Sequence, residues 1–303
     1  MVYAACFAGT LLASYLTARI LSRPDKQAWS WQSPRVAIIC WQALGLAFGL
    51  SLIGLPLALG LTPYDAPTGT ALRRFAADLL RGTLPAGLGP AHLALIATGL
   101  LIAGILLGTT ARSMLSAIRT QRRHRDLLAL VARNDPAAPG ALVLDHPSAA
   151  AYCLPGVRPQ VVVSAGTLHL LDRAQLDAVL RHEQAHATER HDLVLLPFTA
   201  LCRVLPWAKW VRAAHDRVAL LVEMRADDRA RRVHPEALAA ALLRFATAPA
   251  RVTPPGALAL ADTDLEARLQ RLRTTDRPSW LHNAVALTGA AAQVLVPVSL
   301  FLA

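Results

Sequence analysis

Uncharged apolar stretches of helical length recur along this chain, and three of them lie within its first 111 residues. The four stretches without an acidic or basic side chain are Val2–Ala18, Val36–Leu61, Ala91–Ala111 and Asn283–Ala303. A helix rises ~1.5 Å per residue and a hydrocarbon core is ~30 Å thick, so stretches of about this length span a membrane. The pattern therefore predicts four transmembrane helices, of which the first is the shortest.

Between the third and fourth spans the pattern changes to short strands followed by helices. Strand-like runs are predicted at Ala141–Leu144, Ala149–Cys153 and Gln160–Ser164. Helices are predicted over Arg173–Thr188, Ala213–Arg232 and Pro235–Thr247. A capping box at Thr263 and Glu266 predicts the start of one more helix, which has Leu265, Leu269 and Leu272 on one face. These elements predict a membrane domain with three transmembrane helices at 1–111, a cytosolic domain at 112–281 and a C-terminal transmembrane helix at 282–303.

Composition supports a membrane location and restricts the partners. The chain is 54% hydrophobic and 17% charged, which is apolar for a soluble protein of 303 residues. Its formal net charge of +11 suits either nucleic-acid binding or the basic flanks of membrane helices. Because no helix-turn-helix or aromatic-interleaved basic motif is evident, we expect a lipid bilayer and a protein substrate as partners, with no direct nucleic acid.

The run His182-Glu183-Gln184-Ala185-His186 carries the strongest chemical signal in the sequence. On a helix, His182 and His186 project from one face and can bind one Zn²⁺ at ~2.0–2.1 Å. Glu183 then lies beside the metal, where it can take a proton from a water molecule that the ion acidifies and pass it to the leaving amine. The run predicts zinc-dependent amide hydrolysis, and the alternative is a surface helix with two solvated histidines.

A catalytic zinc site needs a third protein ligand besides the two histidines, and one open position. A histidine ten residues after His182 would indicate a metzincin, but that position is Asp192. Glu223 is the only glutamate between Glu189 and Glu236, and it is the predicted third ligand, as in a thermolysin-like arrangement.

Asp227 stands one helical turn after Glu223, on the same predicted face. It can accept a hydrogen bond from a ligand imidazole and thereby hold the tautomer of that ring. The alternative is an ordinary acidic helix face paired with Arg225 or Arg231.

Four further residues near these candidates have predicted supporting roles. His191 and Asp192 directly follow the zinc helix, where they support the ligands or end the helix. Tyr152 or His215 can stabilise an oxyanion, and the alternative for each is an ordinary surface or core position.

Five segments of the chain occur in the same order as in the BlaR/MecR-type integral-membrane zinc metallopeptidases, and the gaps between the segments are similar. This family is related to the HtpX and prenyl-protease group. These segments are Ala151–Gly156, Val161–Gly166, Leu180–His186, Arg190–Asp192 and Glu223–Asp228. The chain resembles this family over roughly Leu142–Arg232 and in the membrane helices before it. The resemblance implies an α-helical membrane protein plus an α+β zincin-like (gluzincin) catalytic domain with a short sheet.

The resemblance also implies the roles of particular residues. The ligands would be His182, His186 and Glu223, with Glu183 as the base. An exposed strand at Tyr152, Cys153 and Leu154 would hold an extended substrate through main-chain hydrogen bonds.

The functional prediction is a membrane-embedded zinc metalloendopeptidase of the HExxH...ExxxD type. The β-lactam receptors of the family continue into an extracellular penicillin-binding domain, so this chain, which stops at Ala303, is expected to be a short member without a sensor. The resemblance then implies cleavage of a cytoplasmic regulatory protein, such as a winged-helix repressor of antibiotic-resistance genes. The alternatives are an HtpX-like quality-control protease and a non-catalytic zinc-binding signalling scaffold. Glu183 favours catalysis because a structural zinc site does not require it, and the oligomeric state stays open.

Basic residues near the spans predict the orientation in the membrane. The first loop contains Arg19, Arg23, Lys26 and Arg35, and the third span is followed by Arg112, Arg119, Arg122, Arg123 and Arg125. The second loop carries the weaker and more distant set of Arg73, Arg74 and Arg81. We therefore expect a multi-pass membrane protein with its catalytic domain in the cytosol, and the family resemblance implies that the membrane is the bacterial inner membrane.

Overall fold

The computed structural model describes residues 1–22, 27–85, 87–156, 158–232, 235–248, 258–259, 265–273 and 279–303. The helices are α1 (Val2–Leu21), α2 (Gln27–Gln32), α3 (Pro34–Gly60), α4 (Thr68–Arg81), α5 (Pro90–Val131), α6 (Ala165–Leu170), α7 (Arg173–Thr188), α8 (His191–Val204), α9 (Lys209–Ala230), α10 (Pro235–Thr247), α11 (Leu265–Arg273) and α12 (Trp280–Leu302). The strands are β1 (Ala132–Asn134), β2 (Ala141–Leu144), β3 (Ala151–Leu154), β4 (Gln160–Ser164) and β5 (Leu258–Ala259).

The chain divides into two compact units. Unit 1 consists of Met1–Ala111, Pro197–Ala214 and Pro278–Ala303. Unit 2 consists of Arg112–Leu196 and His215–Arg277. The predicted domain boundary at residue 111 had assigned 197–214 to the cytosolic domain, whereas these residues group with unit 1. The reason is aromatic packing, since the Trp210 ring lies 5.6 Å from that of Tyr15 and 5.1 Å from that of Phe48.

Unit 1 contains the apolar helices that the sequence predicts. Within the described residues, α1, α3, α5 and α12 are long and apolar enough to cross a membrane. In unit 1, α3 packs against α1 and α12, and Ser14 of α1 donates a hydrogen bond of 3.2 Å to Gln293 of α12. A close approach also requires a glycine at position 60, because a Cβ there would lie 2.7 Å from the carbonyl oxygen of His92. The prediction of four helices of spanning length and composition is therefore confirmed.

Unit 2 is built around a small sheet with strand order β1-β2-β4-β3-β5. Strands β2 and β4 are parallel, and the other neighbouring pairs are antiparallel. Side chains alternate across the sheet, as the period of a strand requires. Val161 and Val163 pack against α7 in one cluster, whereas Val162 packs with Leu128 of α5 in another. One face of the sheet thus supports the helix with the His-Glu-x-x-His run.

Local signals predicted most elements of unit 2 well. Strands β2 and β4 and helices α7 and α10 have the predicted bounds, while β3 begins at Ala151 instead of Ala149. The capping box of α7 forms, since Asp172 accepts a hydrogen bond from the Gln175 backbone N–H and the Gln175 side chain accepts one from the Asp172 backbone. Thr263, predicted to cap α11, lies outside the described residues.

Candidate metal centre

Three predicted ligands come together in the buried interior of unit 2. Helix α7 presents His182 and His186, one turn apart, and α9 presents Glu223 opposite them. One ligand atom from each residue lies within 4.8 Å of the others. The Nε2 atoms of the two histidines are 3.1 Å apart. The carboxylate of Glu223 lies 3.3 Å from Nε2 of His182 and 3.5 Å from Nε2 of His186.

These separations fit a single small ion. Ligand atoms at ~2.0–2.2 Å from a tetrahedral centre are themselves ~3.3–3.6 Å apart. Both distances from Glu223 to the imidazoles fall in this range, and the 3.1 Å between the two Nε2 atoms is slightly shorter. Two imidazole nitrogens and one carboxylate are also the donor set of a catalytic Zn²⁺ site with an open position. The residues present therefore fit a bound zinc ion.

Glu183 lies beside the ligands with its carboxylate buried. Its side chain is 0% exposed, and neither oxygen makes a well-formed hydrogen bond to a described residue. Burial raises the pKa of Glu183 to about 8, because the charged form loses its hydration. His182, Arg268 and the backbone of Cys153 lower this pKa, and Glu223 raises it further. A buried carboxyl group with a pKa close to neutrality is suited to accept and return a proton.

Two side chains contact the far nitrogens of the ligand imidazoles. Nδ1 of His182 lies 3.0 Å from Oδ1 of Asp227, and Nδ1 of His186 lies 2.9 Å from Nδ1 of His191. Binding a metal through Nε2 leaves Nδ1 of each ring protonated and able to donate to these neighbours. Asp227 and His191 are thus placed to hold both rings in the tautomer that a metal requires.

Asp192, the other predicted supporting residue, pairs with Arg190 instead of with a ligand. Asp192 lies in the first turn of α8, and its Oδ1 lies 3.3 Å from Nε of Arg190. The structure brings His191 to a ligand and pairs Asp192 with a neighbour in the chain. The two residues are adjacent in sequence, and the helix directs their side chains to different places.

Strand β3 differs from its expected exposed state. Tyr152, Cys153 and Leu154 are buried, and β3 pairs with β4 on one edge and with β5 on the other. An extended substrate would therefore have to replace β5 in order to join this strand. Cys153 is the member that faces the site, since Glu183 contributes to raising the pKa of its thiol after the larger effect of burial.

Neither candidate for oxyanion stabilisation contacts the ligands. Tyr152 packs on the α5 side of the sheet, and its hydroxyl lies 3.0 Å from Nε2 of His124. The alternation of side chains along β3 places it on the face opposite Cys153. His215 is partly exposed, and its Nδ1 lies 3.1 Å from Oδ1 of Asp216.

Arg268 of α11 enters the centre and was not among the predicted site residues. Its guanidinium donates from Nε to Oδ2 and from Nη2 to Oδ1 of Asp227, at 2.8 and 2.6 Å. Its Nη1 lies 3.1 Å from Oε2 of Glu223. The sequence did contain a signal, because Arg268 is three residues after Leu265 and four before Leu272, on the apolar face of its helix. An arginine on such a face requires a buried anion.

Arg268 also contributes to keeping the two carboxylates ionised. Burial alone would raise the pKa of Glu223, but His186 and Arg268 outweigh it and lower the pKa. The pKa of Asp227 is lowered in the same way, first by Arg268 and then by His182. Both groups are therefore anionic at neutral pH.

The two arginines proposed for an ordinary acidic face are engaged elsewhere. Arg225 makes hydrogen bonds of 2.8 and 2.9 Å to Glu189. Arg231 lies 3.6 Å from Asp228. Glu223 and Asp227 face the interior instead, where they are 5% and 1% exposed.

Comparison with known proteins finds a match to a family model. Residues 117–246 match the model of Peptidase family M48. The match includes His182, Glu183, His186 and Glu223, and it supports a metal-dependent peptidase. It ends before Arg268. No curated protein and no solved structure matches the chain at a significant level.

Proposed function

We propose that this protein is a membrane-embedded zinc endopeptidase that cleaves a cytoplasmic regulatory protein, such as a winged-helix repressor of antibiotic-resistance genes. The observation that carries the peptidase assignment is the meeting of three ligand atoms from His182, His186 and Glu223 beside the buried carboxylate of Glu183. The match to a metallopeptidase family supports the same chemistry. The choice of substrate rests on the resemblance to BlaR/MecR-type proteins.

The roles of the residues follow from their positions. A zinc ion, when bound, supplies a Lewis acid that polarises the scissile carbonyl and acidifies water. Glu183 removes a proton from the attacking water and delivers it to the leaving amine. Asp227 and His191 accept the Nδ1 protons of the ligand imidazoles and keep both Nε2 atoms directed at one point. Peptide-bond cleavage then proceeds without a covalent link to the protein.

Access to the site is a condition for cleavage. His182, Glu183 and His186 are each at most 1% exposed, so a polypeptide cannot reach them in this conformation. A closed site suits a regulated peptidase, because it protects other proteins from hydrolysis.

The orientation in the membrane decides which proteins can be substrates. Arg112, Arg119, Arg122 and Arg123 are exposed on the part of α5 that follows its apolar stretch. Such residues concentrate on the cytoplasmic side of membrane helices. This supports a cytosolic catalytic domain and a cytosolic substrate.

Cysteine accessibility tests the orientation. In a background without the native cysteines, we expect an impermeant thiol reagent to label Thr83→Cys in intact cells and Ala137→Cys only after permeabilisation. Both positions are exposed small residues, which makes them a matched pair. Labelling of Ala137→Cys but not Thr83→Cys in intact cells would contradict the cytosolic location.

Proteomic comparison tests the substrate. In cells with Glu183→Gln we expect a soluble DNA-binding regulator to remain intact, whereas in wild-type cells its cleavage products appear when the peptidase is active. Gln184→Ala is the control, since Gln184 is the exposed neighbour of Glu183 on α7. Accumulation of many membrane proteins instead would indicate quality control, and identical proteomes would contradict proteolysis.

A further inference from the structure

Helix α11 lies beyond the part of the chain that matches the peptidase family, yet one of its side chains enters the metal centre. The match ends at residue 246, and α11 spans Leu265–Arg273. Arg268 is 1% exposed and is among the largest fully buried side chains of the described residues. A guanidinium is buried at this depth only when its charge and its N–H groups find partners.

The partners of Arg268 are the two carboxylates on which the metal centre depends. Asp227 receives a bidentate pair of hydrogen bonds, the geometry in which a planar guanidinium best binds a carboxylate. A third nitrogen, Nη1, lies 3.1 Å from Oε2 of Glu223. The planar guanidinium of Arg268 therefore connects Glu223, the predicted third ligand, with Asp227, which contacts His182.

Charge gives a second reason for this arrangement. Glu223 and Asp227 place two anionic carboxylates in one buried region of unit 2. Arg268 supplies a positive charge that contacts both of them. Without Arg268, the carboxylates of Glu223 and Asp227 would repel each other one helical turn apart in a medium of low dielectric constant.

We propose that Arg268 is a positioning residue of the metal centre, which holds Glu223 and Asp227 in the orientation that binds zinc, so that the functional peptidase unit extends to α11. The proposal rests on the proposed function, because it assumes that His182, His186 and Glu223 bind the ion. Arg268 acts on the metal through the two carboxylates and does not itself touch the substrate.

Arg271, on the same helix, provides a matched control. It is also a buried arginine, with its side chain 8% exposed, and it makes two hydrogen bonds of 2.8 Å to Asp228. It donates a further one of 3.1 Å to the carbonyl of Met224. These contacts attach α11 to α9 without reaching Glu223 or Asp227, so Arg271→Gln reports the purely structural effect of losing a buried arginine.

The test measures zinc affinity of the full-length protein in detergent by competition with a chelator. We expect Arg268→Gln to weaken zinc binding by ~10–100-fold, the usual cost of losing an outer contact to metal ligands. Arg271→Gln should change zinc affinity by less than ~10-fold, below the range for an outer contact, because Arg271 binds Asp228 and not the two carboxylates of the centre. The visible spectrum of the Co²⁺-substituted protein should change in Arg268→Gln and stay as in the wild type in Arg271→Gln.

Arg268→Lys is a second variant, which controls for the case that Arg268→Gln fails to fold. Lysine keeps the positive charge but cannot bind one carboxylate through two nitrogens while contacting another. We expect this variant to fold and still to bind zinc more weakly than the wild type.

The possible outcomes separate this proposal from the peptidase assignment. Wild-type zinc affinity in both Arg268 variants, or an equal loss in Arg271→Gln, would overturn the positioning role while the metal centre stands. A wild-type protein that binds no zinc would overturn both.

Discussion

Glu183→Gln removes peptidase activity and leaves zinc bound. Glutamine has nearly the same shape as glutamate but cannot accept a proton at neutral pH, so the variant loses general-base catalysis. Such a loss corresponds to ~10²–10⁴-fold in rate, or about 3–5 kcal/mol of transition-state stabilisation. Because the side chain lies beside the three ligand atoms and is not one of them, the metal content should equal that of the wild type.

The measurement is cleavage of a peptide library by the purified protein, with zinc determined in the same samples. Gln184→Ala serves as the control, since this side chain is exposed on the adjacent position of α7. Undiminished cleavage by Glu183→Gln would remove Glu183 from its role as the base. Loss of zinc in this variant would instead indicate that Glu183 is a ligand.

Glu223→Ala should lose both zinc and activity. The carboxylate of Glu223 lies 3.3 and 3.5 Å from the Nε2 atoms of His182 and His186, which makes it the third donor to the predicted ion. Two imidazoles alone do not complete a catalytic zinc site. We expect zinc affinity to fall by more than ~100-fold, beyond the range for an outer contact such as Asp227.

Asp216→Asn is the control for this experiment. Asp216 is a carboxylate on the same helix, but its side chain is 65% exposed and it pairs with His215. Its replacement should leave zinc and activity unchanged. Stoichiometric, tightly bound zinc in Glu223→Ala would show that another group provides the third ligand.

The local sequence was a good guide to the elements that carry the centre. The capping box at Asp172 and the helical spacing of apolar residues define α7, because these signals act within a few residues of one another. The same spacing places His182 and His186 on one face. The choice of Glu223 followed from the scarcity of glutamates, and the structure does bring it to the two histidines.

The sequence was a weaker guide to the environment of these residues. It did not reveal that Tyr152 faces His124, away from the ligands, because an alternating strand shows which residues share a face but not what each face meets. It also did not distinguish His191, which contacts the ligand His186, from Asp192, which pairs with Arg190. These distinctions depend on contacts between elements that are far apart along the chain.

Taken alone, the sequence determined four apolar helices of spanning length, the zinc-type helix α7 and the acidic pair on α9, since periodicity and spacing are properties of short segments. Only the tertiary structure decided that residues 197–214 pack with unit 1 and that Arg268 meets Glu223 and Asp227. Asp227 and Arg268 are 41 residues apart, and a hydrogen bond across that separation depends on how whole helices pack. A buried charge finds its partner only when such packing brings the two together.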